Sequence, residues 1–395
     1  MSQYKYTIRD ANFWRITIGL GFSSFIIFAY LYAFQSLLPF FKVFFSINST
    51  QASFLISFAM LGLIVGLFIL GFLSDRYGRV PIIYFSLFGS VISMFLMLFT
   101  NSFYFILLLR FIQGFAIAGL TASAVAYISE EIDFRNAKIA VGFYISTNAI
   151  GGMLGRVFSG YLTEVYSWQT TLYALSFLGL FISISVFFIL PKSRFFISST
   201  ENIKTDLSAF KHHLGNPLLV ILFGLGILLQ FSFTGLWTYL PFHLEKAPYN
   251  LSLQAIGYLF FAYSFGVIGA PLSSSLANRF GLNNVRFVSV IILTLGLLLT
   301  MSTFLSLIIV GLCLACFGFF TAHSLTATSV SETAKHHKGT ASSLYFIAYY
   351  IGVASGSSLL GPLYENINWF VFVLIVSLIP LLYMSVFKYK KINVI

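Results

Sequence analysis

The chain has 395 residues, of which 58% are hydrophobic and only 8% charged. A soluble domain is typically about 25% charged, so this composition excludes a water-covered surface. The net charge of +11 then reads as loop charge beside a membrane rather than as affinity for nucleic acid.

A bilayer core needs about 20 apolar residues per helix. Twelve such runs follow one another at 16–40, 51–73, 80–100, 103–128, 138–162, 169–190, 217–242, 252–275, 285–303, 305–330, 339–362 and 368–387. The stretch before the first, Met1 to Arg15, is polar and has no signal-peptide pattern. The longest link, 191–216, carries Lys192, Arg194, Lys204 and Lys211. It is expected to be a linker between an N-terminal bundle of six spans (1–190) and a C-terminal bundle of six (217–395). The fold class expected is therefore all-α integral membrane, with two pseudo-symmetric six-helix bundles.

Cys313 and Cys316 lie in one apolar run and supply neither a disulfide framework nor a metal-ligand set. No nucleotide loop, nucleophile–base pair or metal cluster appears, so no enzyme activity, metal or organic cofactor is expected. Basic residues are strongly asymmetric. With the N-terminus placed inside, eighteen fall on the inner side, and two, Lys42 and Lys246, fall on the outer side. The positive-inside rule then puts both termini in the cytoplasm of a bacterial-type inner membrane.

The halves repeat. Gly71-x-Leu73-x-Asp75-Arg76-x-Gly78-Arg79 follows span two, and Ser274-x-Leu276-x-Asn278-Arg279-x-Gly281 follows span eight, an offset of 203 at Asp75 and Asn278. Gly151, Gly155 and Gly160 in span five match Gly352, Gly356 and Gly361 in span eleven at an offset of 201, which Tyr144 and Tyr345 share. Such glycines favour close helix packing. A six-plus-six repeat points to a secondary transporter with its substrate site near the midplane.

The first of these loops resembles the signature loop of the major facilitator superfamily. Arg110-x-x-Gln113-Gly114 in span four is similar to its second signature, and Leu31 to Pro39 resembles the proline-ended first span of the drug/proton antiporter group. The resemblance covers the whole chain and extends to the arabinose-efflux-permease-like proteins. Arg156 stands where the antiporter pattern Gly-x-x-x-Gly-Pro has proline, which brings the chain closer to the efflux-permease-like branch. The resemblance implies a conformational lock of Gly71, Asp75, Arg76, Gly78 and Arg79. In it Asp75 faces the N-terminus of span eleven near Gly339, and Arg79 pairs with Glu130, Glu131 or Asp133.

Two arginines, Arg110 and Arg156, lie inside apolar spans, where a charge is costly and functional by default. Arg110 either satisfies the last carbonyls of span one near Pro39 or takes part in substrate or proton coupling. Arg156 either meets a substrate anion, pairs with Glu164 or Glu245, or snorkels to the outer headgroups. All eleven carboxylates lie at span ends or in loops, so the mid-membrane charge is positive and favours an anionic or zwitterionic substrate. His323 in span ten is the mid-span group that titrates near neutral pH; it is either a proton carrier or a neutral packing residue. His243 is a second proton candidate. Tyr32, Gln35, Tyr144, Asn148, Gln230, Trp237, Tyr345 and Tyr349 are candidate cavity linings.

The function expected is proton-coupled efflux of an anionic or zwitterionic metabolite, such as an organic acid or a siderophore-like molecule, by alternating access. A broad multidrug/proton antiporter and a proton-coupled uptake symporter for a nutrient anion are the alternatives. The partners expected are a small-molecule substrate and membrane lipid, with no nucleic acid, and the protein is expected to work as a monomer with the proton as coupling ion.

Overall fold

A computed structural model of the chain describes residues 4–198, 210–334, 336 and 338–389. Linker residues 199–209 and the basic residues Lys335, Lys390 and Lys391 lie outside the described residues. Among those described, the structure is helical, with one isolated β-bridge between Tyr6 and Ile132. Among the described residues, eleven helices are long and apolar enough to cross a membrane. Span five is also a helix, Phe134–Val165, of 32 residues, but Arg135, Lys138, Arg156 and Glu164 dilute its apolar character.

Several helices begin where the sequence supplies a cap. Ser102, Ser167 and Ser252 accept from the backbone N–H three residues on, at 3.1 to 3.4 Å. Asn216 accepts from Leu218 N at 3.0 Å, just before Pro217. Each cap satisfies an amide that has no carbonyl partner in the first turn.

Three spans that read as continuous are broken. Span one is an α-helix over Ala11–Tyr32, a 3-10 turn over Ala33–Gln35 and a short helix over Leu38–Phe44. Span eight breaks at Phe260–Ala262, and span eleven consists of Lys338–Ser358 and Gly361–Asn366. Pro39 and Pro362 sit at the second positions of the short helices. Proline has no N–H to bond back to the preceding turn, so the interruption falls just before it.

The chain forms two compact units. One holds Met1–Leu37 and Phe58–Thr200, and the other holds Leu38–Ser57 and Glu201–Ile395. The second unit thus includes the twenty residues Leu38–Ser57, from the end of span one to the start of span two. In the first unit, Gly151 and Gly155 lie against the backbone of Phe25 and Ala29, leaving no room for a Cβ. In the second, Gly352 and Gly356 lie the same way on Ile227 and Phe231. The repeat therefore extends from sequence to helix packing. Helices Arg79–Leu96 and Leu282–Leu299 each have 18 residues, and Phe103–Glu131 and Leu305–Thr333 each have 29. Phe177, Phe181 and Phe188 are 63%, 70% and 80% exposed along Trp168–Ile189, as a lipid-facing stripe requires.

Candidate functional site

The signature loop builds a polar cluster at the basic end of the first unit. Gly78 has φ of +103°, and its counterpart Gly281 has +84°, a backbone region that glycine enters without steric cost. This turn starts the next helix at Arg79. Arg79 donates from Nε and Nη2 to Glu130 Oε1 at 3.0 and 2.9 Å, pairs through Nη1 with Asp75, and reaches Ser74 Oγ at 3.2 Å. Of the three acids considered for Arg79, Glu130 is the one it meets. Asp133 instead caps Phe134–Val165, accepting from Arg135 N at 3.0 Å. Arg76 lies over the Phe72 ring at 3.5 Å. Gly71 has no tight packing demand: a Cβ there would meet Ala122 at an ordinary 3.8 Å.

Glu131 points to a different partner. Its side chain is fully buried, and Oε1 accepts from Ser193 Oγ, Arg194 N and Phe195 N at 3.0, 2.5 and 3.0 Å. It is an anchor for the start of the linker. The N-terminal segment joins the same cluster. Tyr6 N donates to Glu131 O at 2.9 Å, Asp133 N donates to Tyr6 O at 2.8 Å, and the Arg194 guanidinium lies 3.7 Å over the Tyr6 ring. Asp10 secures the turn before span one. The Thr7 N–H and hydroxyl donate to its carboxylate and hold its pKa below the ordinary value.

Arg110 is fully buried. It donates to Tyr30 O at 3.1 Å, Leu31 O at 2.8 Å and Gln113 Oε1 at 2.5 Å. These carbonyls belong to the last α-helical turn of span one, eight or nine residues before Pro39. The geometry is that of a structural clamp: five donors in a fixed fork suit two adjacent carbonyls.

Arg156 holds the next part of the same span. Nε donates to Gln35 Oε1 at 2.7 Å, Nη1 donates to Gly152 O at 2.7 Å, and the guanidinium lies 4.0 Å over the Tyr32 ring. Ser36 Oγ donates to the Arg156 carbonyl at 2.8 Å. Tyr144 is on the same helix. Its hydroxyl is buried and has no hydrogen-bond partner among the described residues. Asn148 is half-buried one turn on.

In the second unit, His323 Nδ1 and the Tyr345 hydroxyl are 2.9 Å apart. The Tyr349 ring lies 4.8 Å from the imidazole, and the Phe319 ring is parallel to it at 5.8 Å. Phe319 stacks on Phe233 at 4.1 Å. Trp237 stacks on Phe260 at 4.7 Å, and its indole N–H has no partner among the described residues. Gln230 Oε1 is likewise buried without one. His243 is not part of this group: it stacks on Trp369 at 4.3 Å near the far end of span seven.

The family model described as Major Facilitator Superfamily matches residues 20–357 and, separately, 227–393. The chain belongs to this superfamily. It is 33% identical over 369 residues to an uncharacterized transporter of Buchnera aphidicola subsp. Schizaphis graminum, covering 93% of this chain and 88% of that one. It is 34% identical over 358 residues to the inner membrane transport protein YnfM of Escherichia coli strain K12, covering 91% and 86%. Among solved structures, the D-xylose–proton symporter superposes with a TM-score of 0.79 at 16% identity, covering 96% of this chain and 98% of that one. That likeness shows the fold. Family and fold are those of membrane transporters rather than enzymes.

Within this major facilitator chain, two buried charges were not legible from the sequence. Glu131 sits next to Glu130 at a helix end, and a residue count cannot tell which of two neighbours turns inward. Arg286 reads as a loop charge at the start of span nine. It is fully buried and donates to Ser329 Oγ at 2.9 Å and Asn283 Oδ1 at 2.8 Å. The polar pair Asn283 and Ser329 was the available signal.

Proposed function

We propose that the protein is a secondary transporter that exports a small organic anion or zwitterion across the bacterial inner membrane, coupled to protons. Both termini lie in the cytoplasm in this reading, following the positive-inside bias. The observation that carries the substrate class is Arg156. It is a cation only 3% exposed inside an apolar span, with its guanidinium over the Tyr32 ring, where a charge is costly and functional by default. A carboxylate entering beside Tyr32 would give the guanidinium a charged acceptor that it can meet in bidentate geometry, which adds specificity as well as energy. Arg110 is fully buried and spans two carbonyls at a helix end, so it is assigned to the clamp rather than to the substrate.

His323 is the group assigned to proton coupling. An imidazole bonded to a tyrosine hydroxyl can take up a proton at one nitrogen while the other keeps its partner. The signature-loop cluster around Arg79 serves as the inner lock, and the monomer holds the whole pathway.

The test is a thermal-shift screen of purified protein against matched carboxylates, zwitterions and lipophilic cations, with Arg156→Ala beside it. A ligand at 100 times its Kd stabilises the folded state by about 2.7 kcal/mol. Stabilisation by carboxylates that disappears in Arg156→Ala is expected. Stabilisation by lipophilic cations, unchanged in Arg156→Ala, would replace this reading with multidrug export.

A further inference from the structure

Residues 38–57 lie between two stretches of the first unit yet pack in the second. Their seam in the second unit includes three polar contacts, two of them buried. Thr50 N donates to Glu365 Oε1 at 2.9 Å, the Tyr239 hydroxyl donates to Ser53 Oγ at 3.2 Å, and the Ser57 and Ser357 hydroxyls are 2.8 Å apart. Ser53 and Ser57 are 0% and 3% exposed. Water can replace each of these polar bonds when the segment lifts, which lowers the cost of parting them.

The entry to this segment is the 3-10 turn Ala33–Gln35. Two arginines from other helices bracket it. Arg110 fixes Tyr30 and Leu31 before the turn. Arg156 fixes Gln35 within it, and Ser36 just after it bonds back to the Arg156 carbonyl. Gln35 and Ser36 are 1% and 0% exposed, so water does not substitute for these contacts while they are formed. The guanidinium that the transport reading assigns to the substrate is therefore bonded to the hinge of span one.

We propose that the Arg156–Gln35 hydrogen bond is a latch that holds the span-one turn in the shape that seats residues 38–57 on the second unit. An anion that draws the Arg156 guanidinium away from Gln35 releases the turn and frees the segment. The latch rests on the reading that the protein works by alternating exposure, and Gln35 acts in it as a positioning residue. It gives Arg156 two roles that cannot be filled at once, which is what couples occupancy to movement.

The test is a cysteine at the seam, Ser53→Cys, labelled with a water-soluble maleimide and read by mass spectrometry. Native Cys316, buried in span ten, reports general loosening in the same sample. Labelling of position 53 measures how often the segment lifts. Loss of a hydrogen bond to a charged group shifts such an equilibrium by on the order of tenfold. In Gln35→Leu the position-53 rate is expected to rise about that much with Cys316 unchanged, while Gln35→Glu, which gives Arg156 a charged acceptor, labels no faster than the parent.

Measurable labelling in the parent that is equal in Gln35→Leu overturns the latch and leaves the transport reading standing. A rise in Gln35→Glu as large as in Gln35→Leu, or a parallel rise at Cys316, overturns it too, because packing and not the bond then matters. No labelling at position 53 in any variant overturns the movement of 38–57 and the latch with it.

Discussion

Glu131 offers a quantitative test that needs no substrate. Its carboxylate accepts three hydrogen bonds from residues 193–195 on one oxygen, and its side chain is fully buried. A hydrogen bond to a charged group contributes about 1.5–3 kcal/mol, though bonds that share an oxygen do not add. Removing one partner of a buried charged set costs about 3–5 kcal/mol. The lower end applies here, because the groups left behind are two amides, a hydroxyl and the Arg194 guanidinium, which stands 3.6 Å from the other carboxylate oxygen and is 30% exposed, and all can turn to water once the segment lifts. About 3 kcal/mol is a little over a hundredfold in the population of the lifted segment. Trypsin cleavage after Lys192 and Arg194, followed by mass spectrometry, tracks that population when reclosing is faster than cleavage. Glu131→Ala is expected to be cut about a hundred times faster at these sites, and Glu131→Gln about ten times faster, since the amide oxygen keeps an acceptor but loses the charge. Equal rates in the parent and in Glu131→Ala would refute the reasoning and show that the linker is held by other contacts.

Arg110→Ala removes the bonds to Tyr30 O, Leu31 O and Gln113 and should destabilise the protein by about 3 kcal/mol or more; in thermal unfolding Arg110→Lys should recover less than half, because one ammonium cannot span two carbonyls in a fork. Asp10 has a pKa lowered by its Thr7 bonds, so it stabilises the fold above the ordinary carboxylate value and loses that effect as pH falls through its own. The Tm of Asp10→Asn should therefore lie below that of the parent from pH 5 to 7, with both values about equal at the acid end of a scan to about pH 2. Convergence at neutral pH instead would remove the Thr7 contact from the account. With any carboxylate that the thermal screen identifies, His323→Gln should abolish pH-gradient-driven accumulation in liposomes while counterflow persists; unchanged gradient-driven transport would leave His323 as a packing residue against Phe319 and Tyr345.

Much of the architecture was legible because a bilayer imposes a simple rule. Backbone groups in lipid must be satisfied within a helix or a closed barrel, so apolar runs of about 20 residues become helices regardless of their neighbours. The six-plus-six repeat was legible for the same reason that its glycines are needed: positions 151 and 155, like 352 and 356, meet another backbone directly. The signature loop announced the cluster at Asp75, Arg79 and Glu130, since Gly78 fixes the turn that presents Arg79.

The partners of the charges depended on packing across residues far apart in sequence. Glu130 and Glu131 are adjacent, yet one faces Arg79 and the other the linker, because consecutive helical residues point about 100° apart and only the neighbouring helices decide what stands on each side. Arg110 and Arg156 looked alike as buried arginines. Tertiary structure separates them, giving one the carbonyls of a helix end and the other the hinge that follows. The transfer of residues 38–57 to the second unit was likewise not legible, since no local propensity says which bundle an apolar segment will join. Sequence alone determined the spans, their repeat and the family. Only the tertiary structure decided which buried charge grips a helix end, which holds the linker and which is bonded to the span-one turn, because those contacts join groups up to 121 positions apart in the chain.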